Sequence, residues 1–437
     1  MTVKDMLGRS GVVSREEALK VLDGHLVVPP PAVEELPLSS TLGRVLARDI
    51  LSPFDQPAFD RSTMDGYAVR SADTFGAAES RPALLAVVGD ILMGTMPERA
   101  IGKGECMKIA TGGALPGGAD AVVMFEQTQP VDERTIEVVK AVGPEENVSK
   151  TGDDMKQGDA VFAKGHVIRP QDMAALAGMG ITRGAVFVKP RVAIISTGNE
   201  IVPADTVPGP GQIRDSNSYQ LEGLIGQAGG IAVRKGILPD DYARLRQALE
   251  DAAADCHIVL FTGGSSVGTA DFTARVINDL GHPGVLVHGV SIKPGKPLII
   301  GLVKGGLDEG LVKGKASGAA VPVFGLPGHQ AAVSICFEVF VKPVLARFTG
   351  AAADPALEGI SLQRMVRARL SRSISSAPGR EDHVRVTLEK REDGLYAVPV
   401  FGASGLISTL VKAVGTVVVP MNSIGIEAGE DVDVRLF

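Results

Sequence analysis

A chain of 437 residues is too long for one ordinary hydrophobic core and predicts roughly two to four domains at about 100–200 residues each. Hydrophobic residues make up 45% and charged residues 22%, the balance of a soluble globular protein. The net charge of -7, four tyrosines and no tryptophan argue against an electrostatic nucleic-acid or membrane binder and against an aromatic single-strand platform. Cys106, Cys256 and Cys336 are odd in number and widely spaced, so neither a disulfide framework nor a thiolate zinc site is expected. A reduced, cytoplasmic setting suits them. The N-terminal stretch "MTVKDMLGRSGVVSREEALKVL" lacks the continuous apolar core of a secretory signal, and no run approaches the ~20 apolar residues of a membrane span.

In chain order, "SREEALKVLDGHL" (14–26) predicts a short amphipathic helix, with Ser14 as N-cap and Glu17 completing a capping box. "PPPAVEELPL" (29–38) is Pro-rich and extended, a linker or edge segment. From about 45 to 145, short β-like runs such as "LLAVVGDIL", "ECMKIATGG" and "DAVVMFEQT" are broken by Gly and Pro, as in a small β-rich domain. "MKQGDAVFAKGHVIRPQDMAALAGMGI" (155–181) reads as a hairpin and then a helix from about Pro170. Between 190 and 348 apolar strands alternate with helical segments, which predicts a mainly parallel α/β sheet. The stretch 303–320 interrupts two strands with Gly, Lys and Ala and is expected to be a hairpin insertion. After Thr349 the text returns to strands, so a small C-terminal β-domain is expected.

Ligands of α/β sheets bind outside the carboxyl ends of the strands. Four informative stretches fall at such ends: "IISTGNEI", "LFTGGSSVGTAD", "SIKPGKP" and "FGLPGHQ". Glycine pairs such as Gly263 and Gly264 let backbone N–H groups approach an anion. The helix after the "GTAD" segment adds its positive end. Lys293 and Lys296 can hold oxyanion charge as mobile point charges. An acid such as Glu200 or Asp271 in the same crevice would repel a bare phosphate unless a cation intervened, so the combination suggests a phosphate–Mg²⁺ site. Alone, each feature has a bland reading: "TGG" is a turn, Glu200 a solvated loop acid and Lys293 a surface lysine. His329 and His383 lack metal-type spacing and are read as structural. No G-x-S-x-G elbow and no Walker-A lysine loop is present, so hydrolase and P-loop readings fail. Asp65 in "FDRSTMDGYAV", Thr111 in "ATGGALPGGADAVVM" and Asp154 in "SKTGDDMKQGD" sit in ordinary-looking turns.

Taken together, "FDRSTMDGYAV", "ATGGALPGGADAVVM", "GDD", "STGNEI", "GQIRDSNSYQL", "TGGSSVGTADF", "IKPGKP", "GLPG" and "APGRED" resemble, in this order, the molybdopterin molybdenumtransferases. These are the MoeA-type proteins, related to the C-terminal domain of gephyrin. The resemblance runs over essentially the whole chain. It implies a multidomain α/β plus β fold, with a central three-layer α/β domain resembling molybdopterin adenylyltransferases. The implied parts are an elongated linker domain (1–45 and 146–180), a β-rich domain (46–145), the α/β molybdopterin-binding domain (181–350) and a small C-terminal β-barrel domain (351–437). It further implies a homodimer that inserts molybdate into adenylylated molybdopterin and releases AMP, assisted by Mg²⁺. The family's cleft lies between the α/β domain of one subunit and the β-rich domain of the other.

By the same likeness, Asp65, Thr111, Asp154, Glu200, Asp241 and Asp271 match catalytic positions, and Glu200, Asp241 and Asp271 become candidate metal ligands. Gly263, Gly264, Ser265, Asp215, Ser216, Asn217, Gly325 and Pro327 match substrate-binding positions. Lys293, Lys296, Pro297, Arg380 and Ser404 match the molybdate group, where a guanidinium suits a tetrahedral oxyanion. The chain departs from the family pattern at Gln330, where a proline is usual, at Ala332, where serine is frequent, and at Ser149 in "NVSKTGDD", where the family is Arg-rich. The rivals are an adenylyltransferase, which would leave the other domains unexplained, a non-catalytic pterin-binding scaffold, and an insertase that prefers tungstate.

Overall fold

The runs "RVAIIST", "HIVLFTG" and "VPVFGL" are apolar at consecutive positions, the pattern of strands buried on both faces. Each forms a central strand of one six-stranded sheet. The structure, a computed structural model, describes residues 11–263, 269–281, 283–305, 319–352 and 365–437. The strands of this sheet are β1 (Arg191–Thr197), β2 (Ile231–Leu238), β3 (Ile258–Gly263), β4 (Gly284–His288), β5 (Ile299–Lys304) and β6 (Ala320–Leu326). Their order is β2-β1-β3-β6-β5-β4. The first four run parallel. β5 and β4 instead run antiparallel to their neighbours, because neither short connection carries a crossover helix. β5 and β6 stay paired as far as Lys304 and Ala320, which is the base of the expected hairpin. Residues 306–318 of that insertion lie outside the described residues.

The helices are α1 (Arg15–His25), α2 (Asn217–Gln227), α3 (Tyr242–Asp255), α4 (Thr269–Leu280), α5 (Gln330–Cys336) and α6 (Lys342–Thr349). A π-helical segment, Phe337–Val341, joins α5 to α6. Strand alternation divides the core in two. Val192, Ile194 and Phe324 pack with Leu22, Leu221, Phe337 and Leu345 on one face. Ala193, Ile195 and Val323 pack with Leu245, Leu249 and Ile277 on the other. The result is a three-layer sandwich. α1 starts as expected, with the Ser14 hydroxyl accepting from the Glu17 N–H at 3.1 Å. The proline-rich entry pairs as an edge strand, Val33–Pro37 against Arg183–Phe187.

The C-terminal strands β7 (Met365–Leu370), β8 (Glu381–Arg391), β9 (Gly394–Pro399), β10 (Gly415–Val419) and β11 (Asp431–Leu436) close into a five-stranded barrel. The ring runs β8-β9-β7-β11-β10 and returns to β8. One further pairing ties the barrel to the α/β layer. The two-residue strand Ile292–Lys293 runs parallel to Glu381–Asp382.

By packing, the chain divides into two units, one of residues 1–48, 164–173 and 182–437 and the other of 49–163 and 174–181. The second unit is a mixed six-stranded sheet in the order Ala121–Met124, Gly66–Val69, Glu105–Ile109, Ala83–Asp90, Thr135–Val138 and Thr128–Asp132. Both of its faces are apolar, with Val69, Leu85 and Val123 on one side and Ala68, Ile109 and Val122 on the other. Among the described residues, no helix is long and apolar enough to cross a membrane. All three cysteines are buried and none forms a disulfide. Burial pushes the Cys106 and Cys256 thiols up to about 12, which removes them as thiolate nucleophiles at neutral pH.

The helix Pro170–Gly178 starts where the proline predicted. Asp172, only 2% exposed, accepts from the Arg169 N–H at 2.8 Å and from the Arg169 guanidinium at 2.9 and 3.0 Å. His166 Nε2 lies 2.7 Å from the same carboxylate. Hydrogen bonding from Arg169, with His166 beside it, holds the Asp172 carboxyl well below the usual range. A depressed folded pKa stabilises above the unfolded value near 3.9, and that contribution disappears as pH falls below it. Asp172→Ala is therefore expected to lower stability at pH 7 by on the order of 1 kcal/mol, modest because Arg169 regains water. Thermal melts should converge with those of the parent between about pH 4 and the acid limit; an equal deficit at every pH would contradict this.

Candidate functional site

The four parallel strands end together, and each supplies part of one small pocket of about 230 Å³. β1 contributes Ser196 and the following Gly198 and Glu200, and β3 contributes Thr262 and Gly263. Asp240 follows β2 and Gly328 follows β6. Gly263 has φ +106°, and a Cβ there would lie 2.0 Å from the Thr197 carbonyl oxygen, so only glycine lets β3 pass this close to β1. Gly198, at φ +143°, lies under the Glu200 carboxylate, which a Cβ would meet at 2.6 Å.

The start of α2 forms the opposite wall. The Asp215 carboxylate accepts from the Ser196 hydroxyl at 2.8 Å and from the Ser218 N–H at 3.1 Å. Asn217 Nδ2 donates to Thr262 Oγ1 and to the Gly328 carbonyl, both at 2.8 Å. Its Oδ1 is buried without a partner among the described residues. Gln330 Nε2 donates to Ser216 Oγ at 2.9 Å. Asp240 also keeps a buried, unpartnered Oδ1. Burial first, and then the nearby Glu200 charge, raise its pKa above the ordinary aspartate value. The pocket thus offers close backbone approach, a helix start and two neighbouring carboxylates.

A second, larger cavity of about 700 Å³ adjoins it. Its walls come from the loop after Ile292 and from the barrel, which the pairing of Ile292–Lys293 with Glu381–Asp382 holds side by side. Lys293, Lys296, Pro297, Arg380, Arg385 and Ser404 line it, a set dominated by cations. Arg380 Nε donates to Asp382 Oδ1 at 2.8 Å and Nη2 to Oδ2 at 3.3 Å. His329 lines both cavities, and its Nδ1 lies 2.7 Å from Ser404 Oγ. A cationic cavity and an acidic pocket therefore share one wall, a layout that suits an oxyanion delivered to a phosphate-bearing ligand.

Three family models match in the order of the chain. The MoeA N-terminal region (domain I and II) covers residues 13–180, a probable molybdopterin binding domain covers 193–347 and the MoeA C-terminal region (domain IV) covers 367–437. The molybdopterin molybdenumtransferase of Staphylococcus aureus is 32% identical over 432 residues, covering 98% of this chain and 96% of its own. The chain belongs to the MoeA family of molybdopterin molybdenumtransferases. A putative molybdopterin biosynthesis protein of Methanocaldococcus jannaschii is 36% identical over 413 residues, 92% of each chain. The crystal structure of a molybdopterin biosynthesis MoeA protein from Pyrococcus horikoshii OT3 superimposes with a TM-score of 0.80 at 32% identity, covering 98% of this chain and 100% of its own. Another MoeA structure attributed to Pyrococcus horikoshii gives a TM-score of 0.77 at 39% identity, covering 97% and 99%. The chain is thus a transferase of molybdenum cofactor biosynthesis.

As a MoeA-type transferase, it places the sequence-predicted residues unevenly. Glu200, Asp215, Ser216, Asn217 and Gly263 meet in the smaller pocket, and Lys293, Lys296, Pro297, Pro327, Arg380 and Ser404 meet in the larger. Gly325 lies within β6, where a Cβ would press on Ile299 and Thr273, so it serves packing there. Asp241 caps α3, accepting from the Arg244 N–H at 2.9 Å. The adjacent Asp240 is the acid that lines the pocket. In the second unit, Asp65 accepts from both the N–H and the hydroxyl of Thr111, at 2.7 and 2.9 Å. These bonds lower the Asp65 pKa and keep it ionised. Asp154 donates its N–H to the Gln56 carbonyl at 2.9 Å. Gly264 and Ser265 lie outside the described residues, and Asp271 falls in the first turn of α4 with its side chain outside them. Ala332 lines the larger cavity and Gln330 the smaller.

Proposed function

We propose that this MoeA-family chain inserts molybdate into adenylylated molybdopterin with the help of Mg²⁺, AMP being the leaving group. The observation that carries the reading is the shared wall: His329 belongs both to the cationic cavity and to the pocket at the strand ends. Lys293, Lys296, Arg380 and Ser404 would hold the oxyanion, and the Gly263 backbone and the start of α2 would hold the phosphate side of the pterin nucleotide.

The donor set suits Mg²⁺. Among the described residues no group of three or more candidate ligands forms a cage. Three carboxylates line the pocket, Glu200, Asp215 and Asp240; Asp215 is engaged by Ser196 and Ser218, while Asp240 keeps an unpartnered buried oxygen beside Glu200. That is the usual Mg²⁺ arrangement, one or two carboxylates completed by water and substrate phosphate. Glu200 and Asp240 would hold the ion, which when bound supplies charge neutralisation at the phosphoanhydride. The chain's own part is to orient the two substrates. Asn217 ties the α2 start to β3 and to the loop after β6, and Gln330 fixes Ser216 at the rim.

We further infer a cytoplasmic homodimer. Its three cysteines, none in a disulfide, suit a reducing compartment, and light scattering should give about twice the 45.4 kDa chain mass. The reaction is tested by mixing protein, adenylylated molybdopterin and molybdate, with and without chelator. AMP should appear without added ATP, stop with chelator and return with Mg²⁺. A requirement for ATP would indicate the adenylyltransferase instead, and binding without AMP would indicate a scaffold.

A further inference from the structure

Arg385 lies on β8, inside the barrel wall, and is 7% exposed. It nevertheless lines the larger cavity. Its Nη2 donates to the Gly402 carbonyl at 2.8 Å, in the loop that carries Ser404. Its buried Nε has no partner among the described residues, and no carboxylate pairs with it there. A buried arginine is ordinarily paired, because an uncompensated interior charge is costly. Burial lowers the pKa of this guanidinium, with no charged neighbour contributing, yet arginine stays protonated at neutral pH.

Arg380 stands in the opposite state. Its guanidinium already makes two bonds to Asp382, so most of its charge is answered before any ligand arrives. Five N–H donors in a fixed fork suit a tetrahedral oxyanion, and Arg385 spends one of them, at Nη2, on the Gly402 carbonyl. We propose that Arg385 is a further oxyanion-binding residue of this transferase, its buried and unpaired guanidinium aimed into the cavity that Lys293 also lines. The inference rests on the reading of that cavity as the molybdate site. Arg385 reaches the ligand from the barrel wall while Lys293 reaches it from the loop, so the oxyanion links the two elements. The hydrogen bond to Gly402 would also make Ser404 sensitive to occupancy of the guanidinium.

The test is calorimetric titration of sodium molybdate, tungstate, sulfate and phosphate into the full-length protein, Arg385→Gln and Arg385→Lys, at constant ionic strength. Melting curves without anion report folding. Arg385→Gln is expected to weaken molybdate binding by about tenfold or more, and Arg385→Lys, which keeps the charge and loses the fork, by a smaller factor. The anion-free Tm should hold or rise, since a lone buried charge has been removed. A molybdate Kd within twofold of the parent in both variants would overturn the proposal while leaving the molybdate site intact. If Arg385→Gln does not fold, Arg385→Lys decides alone, a Kd within twofold again being contrary. Arg385-dependent binding of sulfate or phosphate with none of molybdate would support the inference and overturn the molybdate reading. No binding of any oxyanion by the parent protein would overturn both.

Discussion

Asp240→Asn is expected to lose about a hundredfold or more of molybdate-dependent AMP release, the scale of removing one preorganised electrostatic partner from a reacting phosphate. Asp241→Asn is expected to remain within a few-fold of the parent. The two acids are neighbours, yet their tasks differ. Asp241 closes the first turn of α3, and asparagine caps a helix about as well as aspartate. Asp240 faces the pocket with an unpartnered oxygen near Glu200. A neutral amide there cannot supply the charge that a divalent cation needs. The raised Asp240 pKa adds a signature. In the ion-free pocket protonation sets in at a higher pH than for an ordinary aspartate near 3.9, so Mg²⁺ binding should weaken as pH falls toward that range. Parallel assays of the two variants decide the matter, and equal loss in both would contradict the assignment.

Gly263→Ala is expected to damage fold and site together. The residue adopts φ +106°, and an added methyl would lie 2.0 Å from the Thr197 carbonyl oxygen and 3.2 Å from its hydroxyl. The left-handed backbone and the forced separation of β1 from β3 should cost on the order of 3 kcal/mol. That corresponds to a Tm lowered by roughly 4–5 °C for a unit of about 300 residues. Because Thr262 and Gly263 both line the pocket, the separation would also move Asn217 away from its bond to Thr262. AMP release should fall in protein that still melts cooperatively, and a Tm within 2 °C of the parent would contradict the close-approach argument. Gly263, which ends β3, therefore has a physical reason to be glycine: two strands come together at the floor of the pocket.

The sequence carried the alternation of strands and helices well, because buried parallel strands read as continuous apolar runs. Strand direction was harder. "VLVHGVSI" and "PLIIGLV" look alike in either orientation, and only the lack of a helix between them and the next strand signals the antiparallel edge. "PDD" before α3 offers two possible N-caps, so the cap and the pocket acid could not be separated without the backbone. His329 reads as structural because it lacks metal-type spacing, and its contact with Ser404 spans 75 residues, beyond the reach of any local motif. Arg385 gave no motif signal at all. Its meaning comes from burial without a carboxylate, a property of the folded barrel. Gln330, which departs from the family pattern, holds Ser216, a contact that spans 114 residues.

The shared wall between the cationic cavity and the strand-end pocket predicts that the two ligands react with each other. The most direct test mixes the protein with adenylylated molybdopterin and Mg²⁺ and measures AMP with and without molybdate, alongside recovery of activity by an apo-molybdoenzyme. About one AMP per cofactor formed is expected, with little AMP when molybdate is absent. AMP release unaffected by molybdate, or AMP release that yields no active cofactor, would contradict it.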